Sequence, residues 1–173
     1  TASIKETVAP EEAATAPTAK PPNISATSAL VIYINSNAPL FSLNPNQQWP
    51  VASLTKLMAA VIATENIGEE SKIKVSAEAW ATEGGAGNLA AGNSYTRAEL
   101  LRALLKVSSN DAAAALAEYT GREEFIRRMN EKAISIGMYN TRFFDPHGLS
   151  ALNHSMSSDL QKLVIYIFNQ HQD

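Results

Sequence analysis

Between Thr96 and Ile136 three helical segments follow one another with only Ser108–Asn110 and Thr120–Gly121 between them, and no other feature constrains the fold as much. Thr96 with Glu99 three residues on is a capping box, which predicts a helix from Thr96 to Val107. Asp111 to Tyr119 is Ala-rich and stops at Gly121, and Arg122 to Ile136 is amphipathic and stops at Gly137. A longer apolar-periodic segment opens at Ser53, where Leu54, Leu57, Met58, Val61 and Ile62 recur at helical spacing and Gly68 follows the end. The last helix runs from about Ser157 to Asn169, although Val164 to Phe168 is β-branched and aromatic enough to suit a strand.

Strand signals are few. Leu30 to Ile34 reads as a strand, Asn35 to Ala38 as a turn and Leu40 to Leu43 as its hairpin partner. Lys72 to Val75 is a short strand, and a small helix surrounds Trp80. Pro45 to Pro50 reads as irregular, Glu83 to Asn93 as a glycine-rich loop and Asp145–Gly148 as a turn. Residues 1–25 hold four of the eight prolines amid Ala, Thr, Glu and Lys, so they form a linker that cannot offset its own ordering entropy. The folded domain is expected over residues 26–173. A Pro/Ala/Thr tether of that kind suits an exported protein held off a membrane or wall, and a chain beginning at Thr1 reads as processed or trimmed.

Composition excludes several classes. A net charge of −3 with no Lys/Arg-rich block argues against nucleic acid as a partner. The absence of cysteine excludes disulfides and thiolate zinc sites. Asp145, His147, His154 and Asp159 carry metal-ligand chemistry, but their spacing fits no standard metal motif. Asn23-Ile24-Ser25 and Asn153-His154-Ser155 are glycosylation-type tripeptides, which count only in a eukaryotic source.

Two short motifs carry chemistry. Ser53-Leu54-Thr55-Lys56 opens its helix with a serine, which would ordinarily be an N-cap. Lys56 opposes that reading, because a cap is favoured by Glu or Gln three residues on and the helix start is electropositive. The same placement favours the neutral amine, which is a competent base. One turn apart, Ser53 and Lys56 share a helix face. Ser108-Ser109-Asn110 lies on an interhelical turn, where its residues are ordinary caps. Paired with the first motif, it supplies a proton relay and an amide, the equipment of a serine acyl-transfer enzyme that uses lysine as base.

The chain resembles the low-molecular-mass penicillin-binding proteins, serine-type D-alanyl-D-alanine carboxypeptidases and endopeptidases, from Ala29 onward. Pro50-Val51-Ala52-Ser53-Leu54-Thr55-Lys56-Leu57-Met58 is similar to their active-site segment. Gly87-Asn88-Leu89, Gly92 and Tyr95-Thr96 resemble the loop before the Glu99-Leu100-Leu101 helix, and Ser108-Ser109-Asn110-Asp111-Ala112 resembles their second motif. Asn140-Thr141, Asp145-Pro146-His147-Gly148-Leu149, Ser155 and Asp159-Leu160 match later segments. The resemblance implies a transpeptidase-like α/β fold of the penicillin-binding-protein/β-lactamase type, and acyl transfer on peptidoglycan stem peptides or β-lactams. Ser53 would be the acylated nucleophile and Lys56 its base. Ser108 would relay protons, Asn110 would bind the substrate amide and position Lys56, and the Ser53 backbone N–H would form half of an oxyanion hole. It implies no metal or organic cofactor, and a site facing the periplasm or the outer face of the bacterial cytoplasmic membrane.

The family's third motif, Lys-Thr-Gly on a late strand, does not occur in this sequence, and Thr120-Gly121 at a helix end is a poor substitute. The expectation is therefore a helix-dominated fold without the C-terminal sheet strands. Alone it should turn over poorly, and its open sheet edge invites dimerisation or a complementing chain. Two other readings stay open. One is a class A β-lactamase-type hydrolase, which needs a carboxylate to activate the deacylating water. The other is a non-catalytic wall-binding or regulatory module.

Overall fold

The computed structural model describes residues 22–34 and 38–171. Most of the linker (residues 1–21) and most of the hairpin turn (residues 35–37) lie outside the described residues. Among the described residues six α-helices dominate: α1 (Thr55–Asn66), α2 (Ala77–Trp80), α3 (Arg97–Lys106), α4 (Asn110–Thr120), α5 (Arg122–Ser135) and α6 (Ser157–Gln170). Among the described residues the strands form three two-stranded antiparallel sheets. These pair β1 (Ala29–Ile32) with β2 (Pro39–Leu43), β3 (Trp49–Pro50) with β6 (His154–Ser155), and β4 (Lys72–Lys74) with β5 (Ser94–Thr96).

The centre of the molecule is α4. Residues Asn110 to Ala117 are all buried, and a helix apolar on nearly every side belongs in the middle of a core. Its alanines let α2, α3, α5 and α1 approach closely. Met58 and Ile62 of α1, Leu100 and Leu104 of α3, Phe125 and Met129 of α5 and Leu163 of α6 complete the core, each at most 2% exposed. The α3 capping box forms in both directions: the Thr96 hydroxyl accepts from the Glu99 N–H (3.1 Å), and the Glu99 carboxylate accepts from the Thr96 N–H (2.7 Å).

Three sequence expectations are corrected. The first strand ends at Ile32 rather than Ile34. Pro45 to Pro50 is not wholly irregular, because Trp49 pairs with Ser155 and Pro50 with His154. That partner lies about a hundred residues away, so no local pattern announces it. Ser94–Thr96 forms β5 against β4 at the end of the glycine-rich loop, where the sequence showed no strand signal. The β-branched stretch in Val164–Phe168 is helical: buried Leu163, with Leu160, Tyr166 and Ile167 packed on the core, makes burial of one helix face outweigh local preference.

Candidate active site

Three segments converge: the start of α1, the turn between α3 and α4, and the loop from Asp145 to Asn153. Ser53 sits in a single 3₁₀ turn, Ala52–Leu54, immediately before α1, and its side chain makes no cap hydrogen bond. The capping alternative therefore fails for this serine. Its hydroxyl is exposed and lies 3.1 Å from Lys56 Nζ and 2.9 Å from Ser108 Oγ, which donates to it.

The second motif divides its labour. Ser109, fully buried, caps α4 by accepting from the Ala112 N–H (3.0 Å), and its hydroxyl donates to the Asp111 carboxylate. Ser108 is left free to point at Ser53. Asn110 donates to the Glu83 carbonyl (2.7 Å), which ties the glycine-rich loop over the start of α4. The described hydrogen bonds of Lys56 run to Ser53 and to the His147 carbonyl (2.8 Å), not to Asn110.

Backbone strain clusters here. Four non-glycine residues have positive φ among the described residues, and two of them, Asn44 and Asn88, are of the type that tolerates it. The other two are Ala52 (φ 44°), which precedes Ser53, and Ser108 (φ 57°), which carries the hydroxyl beside it. Each costs about 1–3 kcal/mol and persists because its surroundings hold it. Gly148 (φ 90°) shows how: a Cβ there would overlap the Ala52 carbonyl, so the loop lies directly on the strained turn.

Lys56 is only 3% exposed, and burial pushes its amine below the usual lysine value, with the Asp145 carboxylate opposing. The electropositive start of α1, with no acidic residue in its first turn, acts in the same direction as burial. Burial likewise holds the His147 imidazole below its ordinary range; Asp145 opposes, while Arg122 and Lys56 lower it further. An exposed hydroxyl beside a buried amine of weakened basicity is a nucleophile with a base in reach. A groove of about 450 Å³ opens onto Ser53, Lys56 and Ser108, with Leu54, Leu57 and Leu105 on its walls.

Sequence reasoning missed the loop's part. Asp145 accepts from the backbone N–H groups of His147 (2.9 Å), Gly148 (2.5 Å) and Ser150 (2.6 Å), an Asx-type turn that presents the His147 carbonyl to Lys56. The Asp-Pro-His-Gly signal was legible as a turn; that its carbonyl meets a lysine 91 residues away was not. Among the described residues no group of three or more His, Asp or Glu is placed to hold a metal. Asp159 instead accepts from the Asn140 N–H and from Lys162.

A profile of the D-alanyl-D-alanine carboxypeptidase family matches residues 15–173. The D-alanyl-D-alanine endopeptidase of Escherichia coli is 37% identical over 157 residues, which is 88% of this chain and 50% of that protein. A D-alanyl-D-alanine carboxypeptidase crystal structure from Mycobacterium tuberculosis superposes with a TM-score of 0.85 at 28% identity, covering 90% of this chain and 61% of that one. Penicillin binding protein 5 from Haemophilus influenzae gives 0.82 at 30% identity, covering 90% and 48%. The chain spans about half the length of the curated relatives it matches. The fold is accordingly that of the penicillin-binding DD-peptidases, and the chain belongs to the D-alanyl-D-alanine carboxypeptidase family.

Proposed function

We propose that this chain carries the nucleophile and base of a serine-type D-Ala-D-Ala carboxypeptidase or endopeptidase that acts on peptidoglycan stem peptides and is acylated by penicillins. One observation carries the reading: Ser53 Oγ, exposed on a strained turn, is within hydrogen-bond reach of both the buried Lys56 amine and the Ser108 hydroxyl. In the reaction Ser53 Oγ attacks the carbonyl carbon of the scissile D-Ala-D-Ala bond while neutral Lys56 takes its proton. The Ser53 N–H donates to the developing oxyanion. Ser108 passes the proton to the leaving amine of D-alanine, and Asn110 offers its amide to the substrate. Water then attacks the acyl-enzyme, returning Ser53 and releasing the shortened peptide.

The β-lactamase reading gains no support from the loop carboxylate. Asp145, the charge that acts on Lys56, is already engaged by three backbone N–H groups. A substrate of this class places the working protein outside the cytoplasmic membrane, with the Pro-rich residues 1–25 as its tether. The edge of β1 that pairs with no strand among the described residues, and the apolar groove of Ile34, Leu57, Val164, Ile167 and Phe168, support a further strand as partner. That strand is the place for the second oxyanion donor, and losing one such donor costs about 10²–10³ in rate.

The test is release of D-alanine from a D-Ala-D-Ala peptide by the full-length gene product, by its Ser53→Ala variant and by residues 1–173 alone. The expected result is turnover by the first, none by the second and weak or no turnover by the third. Turnover that survives Ser53→Ala would refute the proposal.

A further inference from the structure

Asn153 is fully buried and makes contacts on both sides of the nucleophile. Its carbonyl accepts from the Val51 N–H (3.0 Å), two residues before Ser53. Its side-chain nitrogen donates to Thr55 Oγ1 (3.0 Å), two residues after it. The same side chain grips the loop that holds the lysine. Asn153 Oδ1 accepts from the N–H groups of Phe144 (2.7 Å) and Asp145 (3.3 Å), and Nδ2 also reaches the Asp145 carbonyl (3.3 Å) and carboxylate (3.2 Å). A carboxamide has two donors and one acceptor oxygen. Here all are committed, so this side chain is no exposed acceptor for a glycan despite its Asn-His-Ser context.

The two structures it joins also meet where Gly148 lies on Ala52 and where Pro50 pairs with His154, and Asn153 adds the side-chain link to Thr55. Ser53 and Lys56 ride on the start of α1, whereas the His147 carbonyl that binds Lys56 Nζ belongs to the turn built around Asp145. Asp145 closes that turn upon itself, and Asn153 connects it to α1. We propose that Asn153, through its bond to Thr55, is a positioning residue for acylation. It sets the His147 carbonyl against Lys56 and thereby holds the Lys56 amine at the Ser53 hydroxyl. This inference rests on the reading of Ser53 and Lys56 as nucleophile and base.

Asn153→Ala removes five hydrogen bonds from a buried site and so tests folding more than positioning. Thr55 isolates the link. Thr55→Val keeps the side-chain volume and removes the acceptor, while Thr55→Ser keeps the hydroxyl. The measurement is the second-order rate of acylation by a fluorescent penicillin in the full-length gene product and both variants, with the labelled peptide mapped and thermal unfolding recorded. Misplacing a reacting group by a fraction of an ångström to an ångström costs about 10- to 100-fold, so Thr55→Val should slow acylation at least about tenfold. Thr55→Ser should stay within about threefold of the parent, because the bond that carries the geometry remains. Both variants should unfold cooperatively. Thr55→Val reacting at the parent rate, or Thr55→Ser as slow as Thr55→Val, overturns the positioning role while leaving the nucleophile assignment standing. A parent that takes no label, or takes it elsewhere than the Ser53 peptide, overturns both.

Discussion

At the residue scale, the site turns on a lysine placed where a helix disfavours a positive charge. Burial and the helix start weaken the amine, and Asp145 restrains the effect. Because the lysine pKa lies below its usual value, the neutral base appears at lower pH than for an exposed lysine. The acylation rate should therefore climb through that depressed pKa, falling off as acid protonates Lys56. Lys56→Arg keeps the charge but cannot shed its proton near neutrality. It should cut acylation by about 10²–10⁴ per folded molecule, the range a general base supplies, and also lower the unfolding temperature, because a larger and always-charged group enters a buried site. Acylation by Lys56→Arg near the parent rate, with the same pH profile, would show that the amine acts only as a charge.

At the element scale, α4 shows how one short turn serves both fold and chemistry. Ser109 is the cap and Ser108 lies beside Ser53; residue type alone leaves the two serines interchangeable, and only the motif resemblance singled out Ser108. Removing a cap costs about 0.5–2 kcal/mol. Ser109→Ala should therefore lower the unfolding midpoint yet acylate normally per folded molecule. Ser108→Ala should do the reverse. Equal behaviour of the two would erase the distinction, and denaturant curves beside acylation rates decide it. Most helices were legible because each has a local signature: the Thr96–Glu99 box, the stops at Gly121 and Gly137, and the apolar period of α1. The pairing of Trp49–Pro50 with His154–Ser155 was not, since it depends on a partner far along the chain. Of the candidate site, Ser53, Lys56, Ser108 and Asn110 could be named from their motifs. The His147 carbonyl, Gly148 and Asn153 could not, because they act through backbone groups and a long-range contact that no residue type advertises.

At the scale of the whole molecule, an alanine-rich central helix organises a core from which three segments project to one surface. Ser53 lies at the start of one helix, Ser108 just before another, and the loop from Asp145 to Asn153 holds both Lys56 and the strained turn that carries Ser53. On this account penicillin must react at one place. The measurement is intact mass and peptide mapping of the full-length gene product after treatment with benzylpenicillin. The prediction is a single adduct on the peptide containing Ser53, absent from Ser53→Ala. An adduct on Ser108 or Ser109, or one that persists in Ser53→Ala, would contradict it.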